Sequence, residues 1–227
     1  MPQACPTAVV SKLGGVPIWC VSRTTVVGLR EFARSGARGF ALREGLFVAI
    51  VGPSGAGKDT LLKAAAEALS HRPDIIFVRR VITRTSDGVS EDHDTLTPQA
   101  FEAARTAGLF CLSWRAHGLL YGLPHSALDA VRHGDAVVAN VSRTVLVDAV
   151  QTFGRLAVVE ITADPEVLVE RIAARGRESE EDARERVARS VTLRVPPTAC
   201  SYVQINNSGP MEIARERLVR SLVSMSL

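Results

Sequence analysis

Residues 46–62 read LFVAIVGPSGAGKDTLL and carry the most specific chemical signal in the chain. Gly52, Gly57 and Lys58 stand at the G-x-x-x-x-G-K spacing of a phosphate-binding loop, followed by Asp59 where Ser or Thr is normally found. Glycines at 52, 55 and 57 allow positive φ and leave no Cβ in the way, so consecutive N–H groups can turn toward one oxyanion. A helix opening at Lys58 adds its unpaired N–H groups and the positive end of its dipole. Lys58 itself supplies a compact cation for the β- and γ-phosphates of a nucleotide. Nucleotide contacts are therefore expected over Gly52, Pro53, Ser54, Gly55, Ala56, Gly57, Lys58, Asp59 and Thr60. The alternative is a glycine-rich turn that binds nothing. An apolar strand run directly before the loop, with helix formers directly after it, argues against that.

Two arginine clusters follow. The first ends a helical stretch begun by Asp164-Pro165 and reads Arg175-Gly176-Arg177, with Arg186 and Arg189 three apart on the next helix. One reading is a solvated helix, since Asp182–Arg186 and Glu185–Arg189 are i,i+4 pairs. Such pairs contribute only about 0.3–0.5 kcal/mol each and rarely explain a dense cluster. The other reading is a lid over residues 175–190, whose Arg175, Arg177 and Arg186 close on transferring phosphates. The second cluster is V-I-T-R, residues 81–84, followed by S-E-D-H, residues 90–93. A Thr-Arg at the carboxyl edge of a sheet suits a substrate phosphate, which Arg84 can take with a bidentate fork. Asp87-Gly88 alone would suit a plain surface turn. Glu91 and His93 are candidates to orient the substrate beside Arg84. The five histidines show no i,i+4 pair and no carboxylate at ligand spacing, so no histidine metal site is expected.

The elements that must hold these groups alternate strand and helix. Residues 46–51, 75–82, 136–141, 156–161 and 202–205 read as strands. Residues 136–141 (AVVANV) and 156–161 are continuous apolar runs of the kind buried on both faces of a parallel sheet. Helices are expected from 58 to about 69, 98–107, 126–133, 143–152, 165–175, 178–193 and 211–223, and residues 109–121 read as a hairpin. The class is α/β, a three-layer fold with a mostly parallel central sheet.

Composition adds bounds. The 227 residues are 46% hydrophobic and 22% charged, ordinary for a globular chain. No apolar run approaches the roughly 20 residues of a membrane span. Four scattered cysteines suggest a reducing compartment, with neither a disulfide framework nor a zinc site. The net charge of +3 is uneven: residues 1–45 hold six basic and two acidic groups, so the remainder sums to −1. The basic pI is thus no argument for nucleic-acid binding by the domain. Residues 1–44 show no sustained period and read as a disordered tail, a processed leader or translation upstream of the true start. The domain proper is expected at 45–227, and the oligomeric state stays open.

The set GPSGAGKDTLL, ITR with E-x-H, LSWRAHGLLYG, VANVSR, RGRE and INNSG closely resembles the ribose 1,5-bisphosphate phosphokinases, a family of guanylate-kinase-like P-loop kinases. The resemblance covers residue 46 to the C-terminus. It implies a nucleoside-monophosphate-kinase-like fold with an acceptor-binding insert (about 80–125) and an Arg-rich lid. It also implies ATP and Mg²⁺, a cytoplasmic location, and a small sugar phosphate as partner, without nucleic acid or membrane. The reaction implied converts ribose 1,5-bisphosphate to 5-phosphoribosyl 1-diphosphate in phosphonate breakdown. By the same analogy the region from Arg84 to Tyr121 covers the acceptor, and Asn206-Asn207, after the last strand, form the adenine-facing loop, with Asn206 as the contact. Asn140, Ser142 and Arg143 suit hydroxyls and a second phosphate. Guanylate kinase is the main alternative, but its Gly-x-Asp-Tyr-x-Phe segment is replaced here by E-D-H-D-T-L, and its guanine-binding acid by A-N-V-S-R. A non-catalytic binding module is a third reading; it would be expected to lose Lys58 or the lid arginines, and both are present.

Asp59 is the departure to explain. A carboxylate at a helix start gains about 0.3–1 kcal/mol from the dipole. A second negative charge about 5 Å away costs roughly 3 kcal/mol at an effective dielectric of about 20. The strand at 136–141 also lacks the terminal acid that often helps hold Mg²⁺, so Asp59 is expected to supply that carboxylate, directly or through water. Thr60 points about 100° away around the helix and cannot replace it. The competing reading is a harmless first-turn acid. Asp59→Asn is therefore expected to shift the Mg²⁺ activation curve to higher concentration. An unchanged curve decides for the first-turn acid.

Overall fold

The computed structural model describes residues 44–83, 93–174, 179–188 and 193–226. Its centre is β1 (Leu46–Val51), six residues without one exposed side chain. An apolar strand of this kind is stable only with cover on both faces. β7 (Ala136–Asn140) and β8 (Leu156–Thr162) pair with it on either side, both parallel. β2 (Ile75–Phe77) and β9 (Ser201–Asn206) complete a parallel sheet in the order β2-β7-β1-β8-β9.

Alternation along β1 sends its side chains into two cores. Val48 and Ile50 meet Leu61 and Ala65 of α1 (Lys58–Ala68) and Leu218 and Leu222 of α7 (Met211–Met225). Phe47, Ala49 and Val51 pack toward α3 (His125–Arg132) and α4 (Leu146–Phe153), where Phe47 stacks on Phe153 with ring centroids 4.0 Å apart. The result is the expected three layers. Glu160 is a buried acid within β8, satisfied by the Tyr202 hydroxyl at 2.7 Å and Gln204 Nε2 at 3.2 Å. Burial and the bond to Glu160 push the Tyr202 phenol up to about 12.

A second sheet has the order β4-β3-β6-β5. Its strands are β3 (Arg80–Ile82), β4 (His93–Thr95), β5 (Phe110–Ala116) and β6 (Leu119–Pro124). β5 and β6 form the expected hairpin, turned by His117 at φ 50 and Gly118 at φ 74. Positive φ at both central residues is the pattern that matches strand twist. α2 (Pro98–Thr106) starts as its sequence predicts, with Thr97 Oγ1 accepting from the Ala100 N–H at 3.2 Å and Pro98 at the first position.

The single strand expected over 75–82 is instead two strands in two sheets. β2 follows β7 for three residues, and β3 then pairs antiparallel with β6. Two adjacent arginines, Arg79 and Arg80, do not fit a sheet covered on both faces, so pairing with β7 ends before them. The helix expected from 143 opens as a 3₁₀ turn, Arg143–Val145, before α4. α5 (Pro165–Ala173) and α6 (Glu180–Ala188) are the helices flanking the arginine cluster. Among the described residues no helix is long and apolar enough to cross a membrane.

Leu61 is fully buried between α1 and the sheet. Leu61→Ala is expected to lower stability by about 2–5 kcal/mol. In urea unfolding this reads as an earlier midpoint with an unchanged slope.

Candidate active site

Where β1 ends, the chain must turn sharply beside β8. Gly52 has φ 145, and a Cβ there would lie 2.0 Å from the Ile161 carbonyl oxygen, so no other residue fits. Gly57 adopts φ 83 at the start of α1, and no side chain caps that helix end. The carbonyls of the loop are held from outside. Lys58 Nζ donates to Gly52 O at 2.9 Å and Pro53 O at 2.7 Å, and Asn207 Nδ2 donates to Ala56 O at 2.8 Å. With these carbonyls engaged, the loop keeps the shape in which its N–H groups and the helix end can take an anion. Gly55 and Ala56 are buried in the loop floor, whereas Thr60 is exposed.

Asp59 sits in the first turn of α1, half-turned toward the second sheet. Its Oδ1 accepts from Asn140 Nδ2 at 2.7 Å and from Arg80 Nη2 at 3.3 Å. Asn140 is buried at the end of β7, so the bond ties the central sheet to the helix start. The Arg80 guanidinium lies over the Tyr121 ring, 5.8 Å from its centroid, and Tyr121 stacks on Trp114 at 5.4 Å. Asp59 is thus linked through Oδ1 to the second sheet, and Oδ2 is its other oxygen, of the kind a hard cation takes.

Arg186, on α6, reaches the loop from 132 positions away: its Nη2 donates to Ser54 Oγ at 3.2 Å. Arg84, Glu91, Arg175 and Arg177 lie outside the described residues, as does Arg189. His93 is placed only as a backbone position in β4. Tyr121 and Asn140 stand together near Asp59, as described. Ser142 Oγ caps its own 3₁₀ turn through the Thr144 N–H at 3.3 Å, with Arg143 next to it.

At the end of β9 the two asparagines divide the work. Asn206 Nδ2 donates to Asp164 Oδ1 at 3.1 Å, and its Oδ1 accepts from the Ser208 N–H at 2.7 Å. Its side chain therefore shapes its own loop. Asn207 is the one that reaches the phosphate loop. Asn207 Oδ1 and Arg171 Nη1 are buried without a hydrogen-bond partner. Both side chains flank Gly57, where a Cβ would lie 2.5 Å from Asn207 Nδ2 and 3.9 Å from Arg171 Nη1. Sequence reasoning missed Arg171, Arg80 and the role of Asn207. Only the polar residue directly after a strand, at 207, could have signalled one of them.

No protein-family model matches the chain. It is 46% identical over 179 residues to the ribose 1,5-bisphosphate phosphokinase PhnN of Brucella melitensis biotype 2, covering 79% of this chain and 92% of that protein. It is 49% identical over 166 residues to the protein of the same name from Brucella abortus biovar 1, covering 73% and 85%. The crystal structure of guanylate kinase from Anaplasma phagocytophilum superposes with a TM-score of 0.60 at 16% identity, covering 82% of this chain and 88% of that one. That likeness is one of fold.

Removing the Asn207 amide leaves a buried carbonyl of the loop unpaired. Asn207→Ala is expected to lower stability by about 1–3 kcal/mol. It should also raise KM for the nucleotide more than for the acceptor, as thermal unfolding and initial rates would read.

Proposed function

The chain belongs to the ribose 1,5-bisphosphate phosphokinase family, and from that premise we propose the following reaction. The chain transfers the γ-phosphoryl group of ATP to the 1-phosphate of ribose 1,5-bisphosphate, giving 5-phosphoribosyl 1-diphosphate and ADP, a step of phosphonate breakdown. The observation that carries this reading is the Lys58 loop joined to Arg186 on one side and, through Asp59, to the acceptor sheet on the other. A phosphoryl-transfer site needs this convergence of cations on two phosphates, and little else from the protein.

In the proposed reaction a 1-phosphate oxygen of the sugar attacks the γ-phosphorus in line, and the bond from that phosphorus to the β,γ-bridging oxygen breaks. The attacking oxygen is already ionised at neutral pH, so no general base is needed. Glu91 and His93 orient the acceptor, together with Arg84, Tyr121, Ser142 and Arg143. Lys58 and the lid arginines Arg175, Arg177 and Arg186 neutralise charge spread over the transferring group and exclude water. The loop at 206–207 faces the adenine. The donor set suits Mg²⁺, which takes one or two carboxylates and completes its shell with phosphate oxygens and water. Asp59 Oδ2 is the oxygen proposed to hold it. When bound, the cation would offset charge on the triphosphate. Residues 45–227 form the kinase domain in this reading, and residues 1–44 are an extension outside its chemistry.

Asn140 argues against a guanine acceptor. Its amide donates to Asp59 at the strand end, where a guanine-reading site needs an acid. A site built to hydrogen-bond a base loses discrimination of order 10⁴ when such a group is missing.

With ATP and Mg²⁺, the purified protein is expected to release ADP with ribose 1,5-bisphosphate and not with GMP, AMP or ribose 5-phosphate, the product being read by ³¹P NMR. Turnover with GMP alone would overturn the acceptor assignment. Lys58→Ala should lower kcat by at least about 10²-fold. Near-normal turnover in that variant would remove the loop from the mechanism.

A further inference from the structure

Arg80 opens β3 with its side chain 13% exposed, held by Asp59 Oδ1 and by the face of Tyr121. The bond to Asp59 is its one hydrogen bond among the described residues. A guanidinium has five N–H donors, so four remain for something else. Arg80 also lines a cavity of about 250 Å³, whose polar lining is Asp59, Lys63, Arg79, Arg80 and Asn140 and whose remaining wall is apolar, with Phe77 and Leu62 among it. Of its cations, Arg79 is paired with Asp94 at 3.5 Å, which leaves Lys63 and Arg80 to the argument, and the one acid is bonded to Arg80.

The cavity recedes from the phosphate loop. α1 begins at the loop and runs away from it, and Lys63 lies one turn further along, roughly 6 Å at 1.5 Å per residue. An anion held between Lys63 and Arg80 is therefore set back from the point where the γ-phosphate meets its acceptor. We infer that this cavity is the subsite for the second, non-reacting phosphate of the acceptor, with Arg80 as its specificity-determining contact and Asp59 as the residue that positions Arg80. The inference rests on the sugar-bisphosphate reading above. It also gives a reason for the unusual acid after Lys58. A Ser or Thr hydroxyl could accept a bond from a guanidinium but could not match its charge, whereas a carboxylate does both. In this position the acid's own charge is balanced by the cation it holds.

The test compares kcat/KM for ribose 1,5-bisphosphate with that for ribose 1-phosphate, which lacks the second phosphate, at saturating ATP and Mg²⁺. Arg80→Ala is expected to lose about 10–100-fold on the bisphosphate, the range for removing a charge-assisted bond, and no more than about 2-fold on ribose 1-phosphate. Lys63→Ala, at an exposed position where folding is not at issue, should lose about 3-fold on the bisphosphate only. Arg80→Lys should restore part of the loss. Asp59→Asn should weaken equilibrium binding of the bisphosphate, measured calorimetrically without ATP or Mg²⁺. In the Arg80→Ala background the same change should add nothing further. Equal losses on both acceptors, or additive effects of the two changes, would overturn the subsite. Wild-type enzyme silent on ribose 1,5-bisphosphate overturns the acceptor reading itself. Wild-type turnover with an unchanged acceptor ratio in Arg80→Ala and Lys63→Ala overturns only the subsite.

Discussion

A loop that binds phosphate through backbone N–H groups works only if its carbonyls are kept away from the anion. Here that is done by donors from three places. Lys58, inside the motif, turns back onto Gly52 O and Pro53 O, and Asn207 crosses from the end of β9 to Ala56 O. Within the loop, the Ala56 N–H reaches Pro53 O at 3.4 Å. The close approach of Ile161 O to Gly52 presses the loop against β8 from the other side. The cradle is therefore a property of the whole parallel sheet. β1 delivers the loop, β8 limits where it can go, and β9 delivers the side chain that anchors its far end.

The same sheet carries the connection to the acceptor side. Asn140 ends β7 next to β1, with Ile50 as its register partner, and so lies level with the start of the loop. An amide there can donate to a carboxylate on the helix, where an acid would repel it. Asp59 and Asn140 thus form a complementary pair, with the negative charge on the helix and the donor on the strand. The carboxylate in turn holds Arg80 over Tyr121, which stacks on Trp114, so one oxygen atom joins the central sheet, the first helix and the second sheet.

Much of this was legible in the sequence, for identifiable reasons. β1 is apolar along its whole length and β7 and β8 over most of theirs, which only a doubly covered strand tolerates, and Thr97-Pro98 names its helix start by local chemistry. What was not legible depended on register and pairing partners. Nothing in IIFVRRVI says that its first three residues pair with β7 and its last three with β6, since both halves have the same strand-forming character. The choice between Asn206 and Asn207 is a matter of strand parity, because neighbours point to opposite sides and a shift of one residue exchanges their roles. Arg80 was read as part of a strand, and its partners Asp59 and Tyr121 are 21 and 41 positions away.

The charge distribution argues that closure over the substrates must be local. ATP and a sugar bisphosphate together bring many negative charges into one site, yet residues 46–227 sum to only −1, so no general positive field offsets them. The cations that meet them come from separate elements: Lys58 from the loop, Arg186 from α6 and Arg80 from β3. α6 is an acidic helix whose side chains are bonded along it and across to the loop. Glu180 takes Arg184 at 2.6 Å and Asp182 takes the Ser179 hydroxyl at 2.6 Å, so these neighbouring acids are engaged along the helix while Arg186 reaches across to Ser54. Cations on independent elements repel one another, and an anion between them offsets that repulsion. In the proposed reaction, substrate charge then adds to the contacts that already join α6, the loop and the second sheet.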